Sequence, residues 1–267
     1  YPDSTFDLKS YGYTDDTFMR DILSFQIWGR MVKKRSGYPS NLGFPKSALG
    51  NWSSPLDYFG EAKQTLEGFP VEIYNNGVYL GLYMLRQTVN AEIYQMDDSN
   101  ATNILMKYDH TGSTGNGQTV NLIDWSVFEP VNWSMESPDI DAYSDQSALQ
   151  TTAPTVYTAM NNVFTAIGAW TAGSTADTIA GLTKVLDKEG VIDYVLFSHA
   201  VNSTDGYNDN LLMLSWDGVT FNPYPYDLDL TLGNNSIADS VNQINVKDGP
   251  WAIVENLWKA DAAARWK

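Results

Sequence analysis

The stretch that decides the fold is "FSHAVNSTDGYNDNLLMLSWDGVTFNPYPYDLDLTLG", Phe197 to Gly233. Its first residues continue a helical pattern, with Val191 and Val195 on one stripe and Ile192, Leu196 and His199 on the adjoining one. A crowded polar turn, Thr204 to Asn210, interrupts that pattern. After it, two apolar runs flank Asp217-Gly218, the residues a tight hairpin turn requires. The returning run carries a second acidic pair, Asp227 and Asp229.

Working outward, the region from about 145 to 203 reads as a succession of helices, "ALQTTAPTVYTAMNNVFTAIGAW", "STADTIAGLTKVL" and "DKEGVIDYVLFSHAVN". Towards the N-terminus, "TDDTFMRDILSFQIWGRMVKK" predicts a helix that Thr14 and Asp15 can cap, with Phe18, Ile22 and Phe25 at helical spacing. "FPVEIYNNGVYLGLYMLRQTVN" predicts a β-hairpin turning at Asn75-Asn76-Gly77. "ATNILMKYDH" predicts a further strand, "HTGSTGNGQ" a Gly-rich surface loop, and "PWAIVENLWKADAAARWK" a last helix. The expected class is α+β, with a β-containing N-terminal part and a mainly helical C-terminal part in which an acidic hairpin is embedded.

Composition narrows the chemistry. The chain has 267 residues, 43% of them hydrophobic, with 16 basic against 32 acidic side chains and a formal charge of −16. Such a surface repels nucleic acid and anionic lipid over most of its area, so an anionic ligand needs a local device such as a divalent metal. The absence of cysteine rules out disulfides, zinc-thiolate sites and a cysteine nucleophile. No apolar run approaches the roughly 20 residues of a membrane-spanning helix.

Several motifs fail on inspection. There is no G-x-S-x-G elbow, and the two histidines, His110 and His199, lack metal-ligand spacing. His199 reads as a core or helix-end histidine. "DLDLTLGNNSIA" resembles a calcium loop only superficially: Gly233 falls one place late, and Ala238 stands where a bidentate Glu belongs. What remains is Asp205 and Asn210 in D-x-x-x-x-N spacing, followed by Asp227 and Asp229 on the returning strand. Phosphoryl-transfer loops use that spacing to set a carboxylate at the acceptor hydroxyl and a carboxamide oxygen at Mg²⁺. The same residues can equally form Asx-turns that cap a helix and open a hairpin.

The segment from Phe197 to Gly233 resembles the heart of the CotH family of atypical, spore-coat-type protein kinases. Pro225-Tyr226-Asp227-Leu228-Asp229 with Gly233 is similar to that family's "PWDxDxxxG" run, with Tyr226 in place of Trp. "VEIYNNGVYLGLYML" is similar to its "NGxYxGxYxLxE" hairpin, "DDTFMRDILSFQI" to its Asp-x-x-x-Met-Arg helix, and "NILMK" to its "LYK" strand. The resemblance implies a protein-kinase-like two-lobed fold, with residues 1–90 a partial N-lobe and 91–267 the C-lobe. It implies Asp205 as catalytic base, Asn210 and Asp227 as metal ligands and Asp229 as an auxiliary ligand. Lys107 and Gln87 fall at the nucleotide edge, Gln87 replacing the family's Glu. The implied reaction is Mg²⁺- or Mn²⁺-dependent transfer of the ATP γ-phosphoryl group to Ser or Thr of a protein substrate or coat partner, at a cell surface or outside the cell.

The family's strands ahead of the Met-Arg helix, and the lysine that meets the phosphates, have no legible counterpart, because Lys9 stands too near the helix to be assigned. The C-terminus also stops where family members continue, so the expectation is a domain truncated at both ends. A non-catalytic surface or coat module with the same fold is the alternative. A calcium-stabilised carbohydrate- or surface-binding domain, suggested by nine Trp and sixteen Tyr, is a third reading.

Overall fold

A computed structural model describes residues 6–11, 15, 17–35, 64–108, 123–139, 148–173, 175–203, 206 and 210–233. Within these, two antiparallel sheets and a set of helices make a mixed α+β arrangement. The Gly-rich loop expected around 110–118 and the helix expected over 250–267 lie outside the described residues.

The first sheet contains β1 (Phe6–Lys9), β2 (Gly68–Asn75) and β3 (Val78–Gln87), in the spatial order β1-β3-β2. Asn76 and Gly77 have φ of 50° and 83°, the paired left-handed conformation of a type I′ turn, as the Asn-Asn-Gly signature predicts. β1 was not foreseen, and it corrects the expectation of no strand ahead of the helix. Four residues are too few to show a period, and their state is set by pairing with β3, Phe6 opposite Gln87 and Lys9 opposite Met84. Alternation along β3 divides its side chains. Met84 and Arg86 are buried on the inner face, while Phe6, Leu8 and Phe69 sit exposed on the outer one.

Helix α1 (Arg20–Val32) covers the inner face. Asp21, Ile22, Ser24, Phe25, Trp28, Gly29 and Val32 form its buried stripe, the i, i+3, i+4, i+7 pattern of a core-facing helix. Asp15 opens it: one carboxylate oxygen accepts from the Thr17 amide (3.0 Å) and hydroxyl (2.6 Å), the other from the Arg20 amide (2.8 Å). The Arg20 guanidinium closes on the same carboxylate at 3.2 Å. The Asp-x-x-x-Met-Arg signature is thus a helix-opening device.

The second sheet has the order β5-β4-β6-β7, from β4 (Ile104–Tyr108), β5 (Trp133–Ser137), β6 (Leu211–Ser215) and β7 (Asn222–Pro225). The acidic hairpin is therefore half of a four-stranded sheet, and not an isolated ribbon among helices. Its turn is the expected one, with Gly218 at φ 71° and Asp217 Oδ1 accepting the Val219 and Thr220 amides at 2.8 and 2.7 Å. β5 went unread in the sequence.

Helices α2 (Leu149–Thr152), α3 (Pro154–Ala172), α4 (Ala176–Val185) and α5 (Lys188–Val201) follow the predicted order, except that the first predicted segment is split at Ala153 into α2 and α3. His199 is exposed in the last turn of α5, a helix-end histidine. Trp28 of α1, fully buried, meets Tyr194 and Phe197 of α5 and Tyr224 of β7 at ring-centroid distances of 5.9, 5.3 and 5.2 Å, all edge-to-face. This aromatic knot ties α1 to α5 and to the strand that ends beside Asp227.

Candidate functional site

The β6–β7 register creates the centre of the site. Leu211 pairs with Pro225, which brings Asn210, one residue before β6, beside Tyr226 and Asp227, just past β7. The Tyr226 amide donates to Asn210 O (3.3 Å), and Asn210 Nδ2 donates to Asp227 O (3.2 Å). Asp227 has a φ of 51°, a left-handed conformation rare for a residue with a Cβ. That kink turns the chain out of the strand and back towards α1.

The following turn is fastened to α1 and α5. The Leu228 amide donates to Asp21 Oδ1 (2.9 Å), and Thr231 Oγ1 donates to Leu228 O (2.6 Å) while sharing a 2.8 Å hydrogen bond with Ser24 Oγ. The Leu232 amide donates to Val201 O at 2.6 Å. Asp229 lies within this turn, partly exposed.

Two cations converge on Asp227. Lys9 Nζ forms an ion pair with Asp227 Oδ1, and Arg86 NH1 lies 3.6 Å from the same oxygen. Arg86 is buried and is held mainly by Asp21, at 2.6 Å. Asp21 Oδ2 also accepts the Tyr11 hydroxyl at 2.5 Å, and Asp7 stands 4.0 Å from Arg86 NH2. Attraction to Asp21 and Asp227 outweighs burial and keeps the guanidinium charged. Burial, with Asp21 beside it, pushes the Tyr11 phenol far above its usual value, so Tyr11 is a proton donor at all ordinary pH.

Asn210 and Asp227 thus meet, as their spacing implies. Asp205 lies outside the described residues, but its neighbour Gly206 is buried and accepts a hydrogen bond from the Tyr194 hydroxyl of α5. A Cβ at Gly206 would stand 2.9 Å from Ser203 Oγ and 3.0 Å from Tyr194 OH, so only glycine fits here without a shift. Lys107 Nζ is 3.3 Å from Glu136 Oε1 and 5.5 Å from the Tyr226 ring centroid, on the flank of the site.

Gln87 faces the other way from Arg86 along β3. Its Oε1 accepts the Glu67 amide at 3.0 Å, and it lines a separate cleft of about 430 Å³ with Phe6, Ile22, Gln26, Glu67 and Phe69 among its walls. The residues that sequence reasoning missed are Tyr11, Asp21 and Arg86, and Lys9 was left unassigned. The latent sign was an acid on the apolar stripe of α1 and an arginine in step with Met84 on the inner face of β3, since buried charges are rare without a purpose.

The donor set suits a hard dication. Asn210 donates through Nδ2 to the Asp227 carbonyl, which leaves its own carboxamide oxygen available to ligate a cation. The position already accommodates positive charge, from Lys9 and Arg86. Among the described residues no three His, Cys, Asp or Glu side chains cluster as a metal cage. Mg²⁺ does not require one, since it is commonly held by one or two carboxylates with water and phosphate oxygens.

No curated protein matches the chain. The family model described as CotH kinase protein matches residues 5–262, from β1 through the aromatic knot, the Asn210–Asp227 pair and beyond. A match over nearly the entire length, with a kinase-like function implied by the family, places this protein in the CotH kinase family.

Proposed function

We propose that the protein transfers the γ-phosphoryl group of ATP, as its Mg²⁺ or Mn²⁺ complex, to a Ser or Thr hydroxyl of a protein substrate. The carrying observation is that Lys9 of β1 and Asn210, just before β6, both meet Asp227, just past β7, the first at its carboxylate and the second at its carbonyl. In this reading the first sheet with α1 is the smaller lobe, and the second sheet with α2 to α5 is the larger one.

Asp227 and the Asn210 carboxamide oxygen hold the metal, with Asp229 as an auxiliary ligand. Bound Mg²⁺ supplies neutralisation of the charge on the phosphate oxygens. Lys9 is the cation that turns from Asp227 to those oxygens. Lys107 is less suited to that part, being engaged by Glu136. Asp205 accepts the proton of the substrate hydroxyl, on a loop whose next residue is anchored by Tyr194. Positioning and electrostatics carry the rate, with no covalent intermediate.

The test is label transfer from γ-labelled ATP to an acceptor protein with Mg²⁺ or Mn²⁺. Wild type transfers label, and Asp227→Ala loses at least about a hundredfold, as removal of an electrostatic stabiliser does. Transfer that survives Asp227→Ala would refute the assigned role. No transfer by the wild type would leave the non-catalytic surface module as the better reading.

A further inference from the structure

Asp21 has no part in the reaction as written above, yet it is a fully buried carboxylate that collects donors from three distant segments. Tyr11 OH reaches it from beyond β1 (2.5 Å), Arg86 NH1 from β3 (2.6 Å), and the Leu228 amide from the turn after Asp227 (2.9 Å). A buried carboxylate needs a counter-ion, and Arg86 is that ion. The same guanidinium nitrogen stands 3.6 Å from Asp227 Oδ1, a full ångström farther than from Asp21.

We infer that Asp21 is a positioning residue for Asp227: it draws the charge of Arg86 to itself and fixes the backbone of Leu228, so that the Asp227 carboxylate stays open to a divalent cation. The inference rests on the metal-binding reading of Asp227. Two positive groups border that carboxylate, and only one of them can leave. Lys9 is on a partly exposed side chain at the edge strand β1 and can swing away. Arg86 is buried in the middle strand and cannot. Without the Asp21 charge, the carboxylates within 4.0 Å of Arg86 among the described residues are Asp227 and the half-exposed Asp7. The guanidinium then closes on Asp227 and competes with the metal for it.

Asp21→Asn keeps an oxygen for the Leu228 N–H but loses the charge, together with the Oδ2 acceptor that Tyr11 OH and Arg86 NH1 share. Pairing it with Arg86→Met removes the orphaned cation as well. Wild type, Asp21→Asn and Asp21→Asn/Arg86→Met are titrated with Mn²⁺ alone, free ion being read by electron paramagnetic resonance and folding by thermal unfolding. Asp21→Asn is expected to bind Mn²⁺ about tenfold more weakly, the scale on which one neighbouring charge acts on a carboxylate. The double variant is expected to return to within about threefold of wild type. A purely structural role predicts that the double variant is as weak as the single or weaker, and that result would overturn the inference.

Should Asp21→Asn fail to fold, the double variant, in which the buried charges are removed as a pair, is compared with wild type directly. Equal or tighter Mn²⁺ binding supports the inference, and tenfold weaker binding overturns it. If wild type binds Mn²⁺ and Asp21→Asn binds it equally, the inference alone fails. If wild type binds no Mn²⁺, the metal-binding reading of Asp227 fails and takes the inference with it.

Discussion

Replacing Lys9 by methionine should move metal binding and nucleotide binding in opposite directions. Lys9 Nζ is paired with Asp227 Oδ1, so a divalent ion arriving alone must displace it. At 4 Å and an effective dielectric constant near 20, two unit charges attract by about 4 kcal/mol. The Lys9 and Asp227 side chains are 25% and 31% exposed, so water screens much of this, and net values for exposed pairs are only about 0–1 kcal/mol. Arg86, 3.6 Å from the same oxygen, already satisfies part of the carboxylate. A net contribution of roughly 1.4 kcal/mol, or about tenfold in a binding constant, is the reasoned middle.

Lys9→Met should therefore bind Mn²⁺ alone about tenfold more tightly. It should bind the Mn²⁺ complex of ATP about tenfold more weakly, because the freed ammonium no longer meets the phosphates. Paramagnetic resonance of free Mn²⁺ gives the first quantity, and displacement of a fluorescent ATP analogue gives the second. If both affinities fall together, Lys9 is a plain structural cation and the exchange from Asp227 to phosphate is refuted. An unchanged Mn²⁺ affinity would also refute it.

Tyr194→Phe removes the hydrogen bond to Gly206 O, next to the Asp205 position. It should cost about 1 kcal/mol of stability, read by urea unfolding, while lowering kcat far more than it raises the KM for ATP; a change in KM alone would count against a clamp on the loop. Burial and Asp21 raise the Tyr11 phenol far above its ordinary value, and burial does the same for Tyr94. The unfolded chain releases those protons near pH 10 and the folded one retains them, so stability is intact below about pH 10 and falls above it. Each tyrosine contributes about 1.4 kcal/mol per pH unit to that fall, and Tyr11→Phe should flatten the slope of stability between pH 10 and 11; an unaltered slope would refute the assignment.

Sequence reading succeeded where local rules decide. The Asn-Asn-Gly and Asp-Gly turns fixed two hairpins, and the apolar period located α1 and the helices up to α5. The Asn210–Asp227 contact was legible for the same reason, since a hairpin turning at Asp217-Gly218 makes its two ends neighbours. β1 and β5 were not legible: segments of four and five residues take their state from the strands they join. Nor was the charge network, because Lys9 is 218 residues from Asp227 and Arg86 is 65 residues from Asp21. No period or turn encodes such pairings, and only the folded structure discloses them.

The outer face of the first sheet has a colloidal consequence. Phe6, Leu8 and Phe69 are 48, 48 and 57% exposed there, on the two edge strands, with Leu8 and Phe69 flanking Leu85 of β3. An apolar sheet face of this kind invites another to stack on it. A common charge of −16 opposes such stacking in neutral solution, a long-range repulsion that salt shortens and acid abolishes. Near the isoelectric point, about 4.3, that barrier vanishes while the apolar face remains, so acidification towards it brings the molecules together through a surface that neutral pH holds in check.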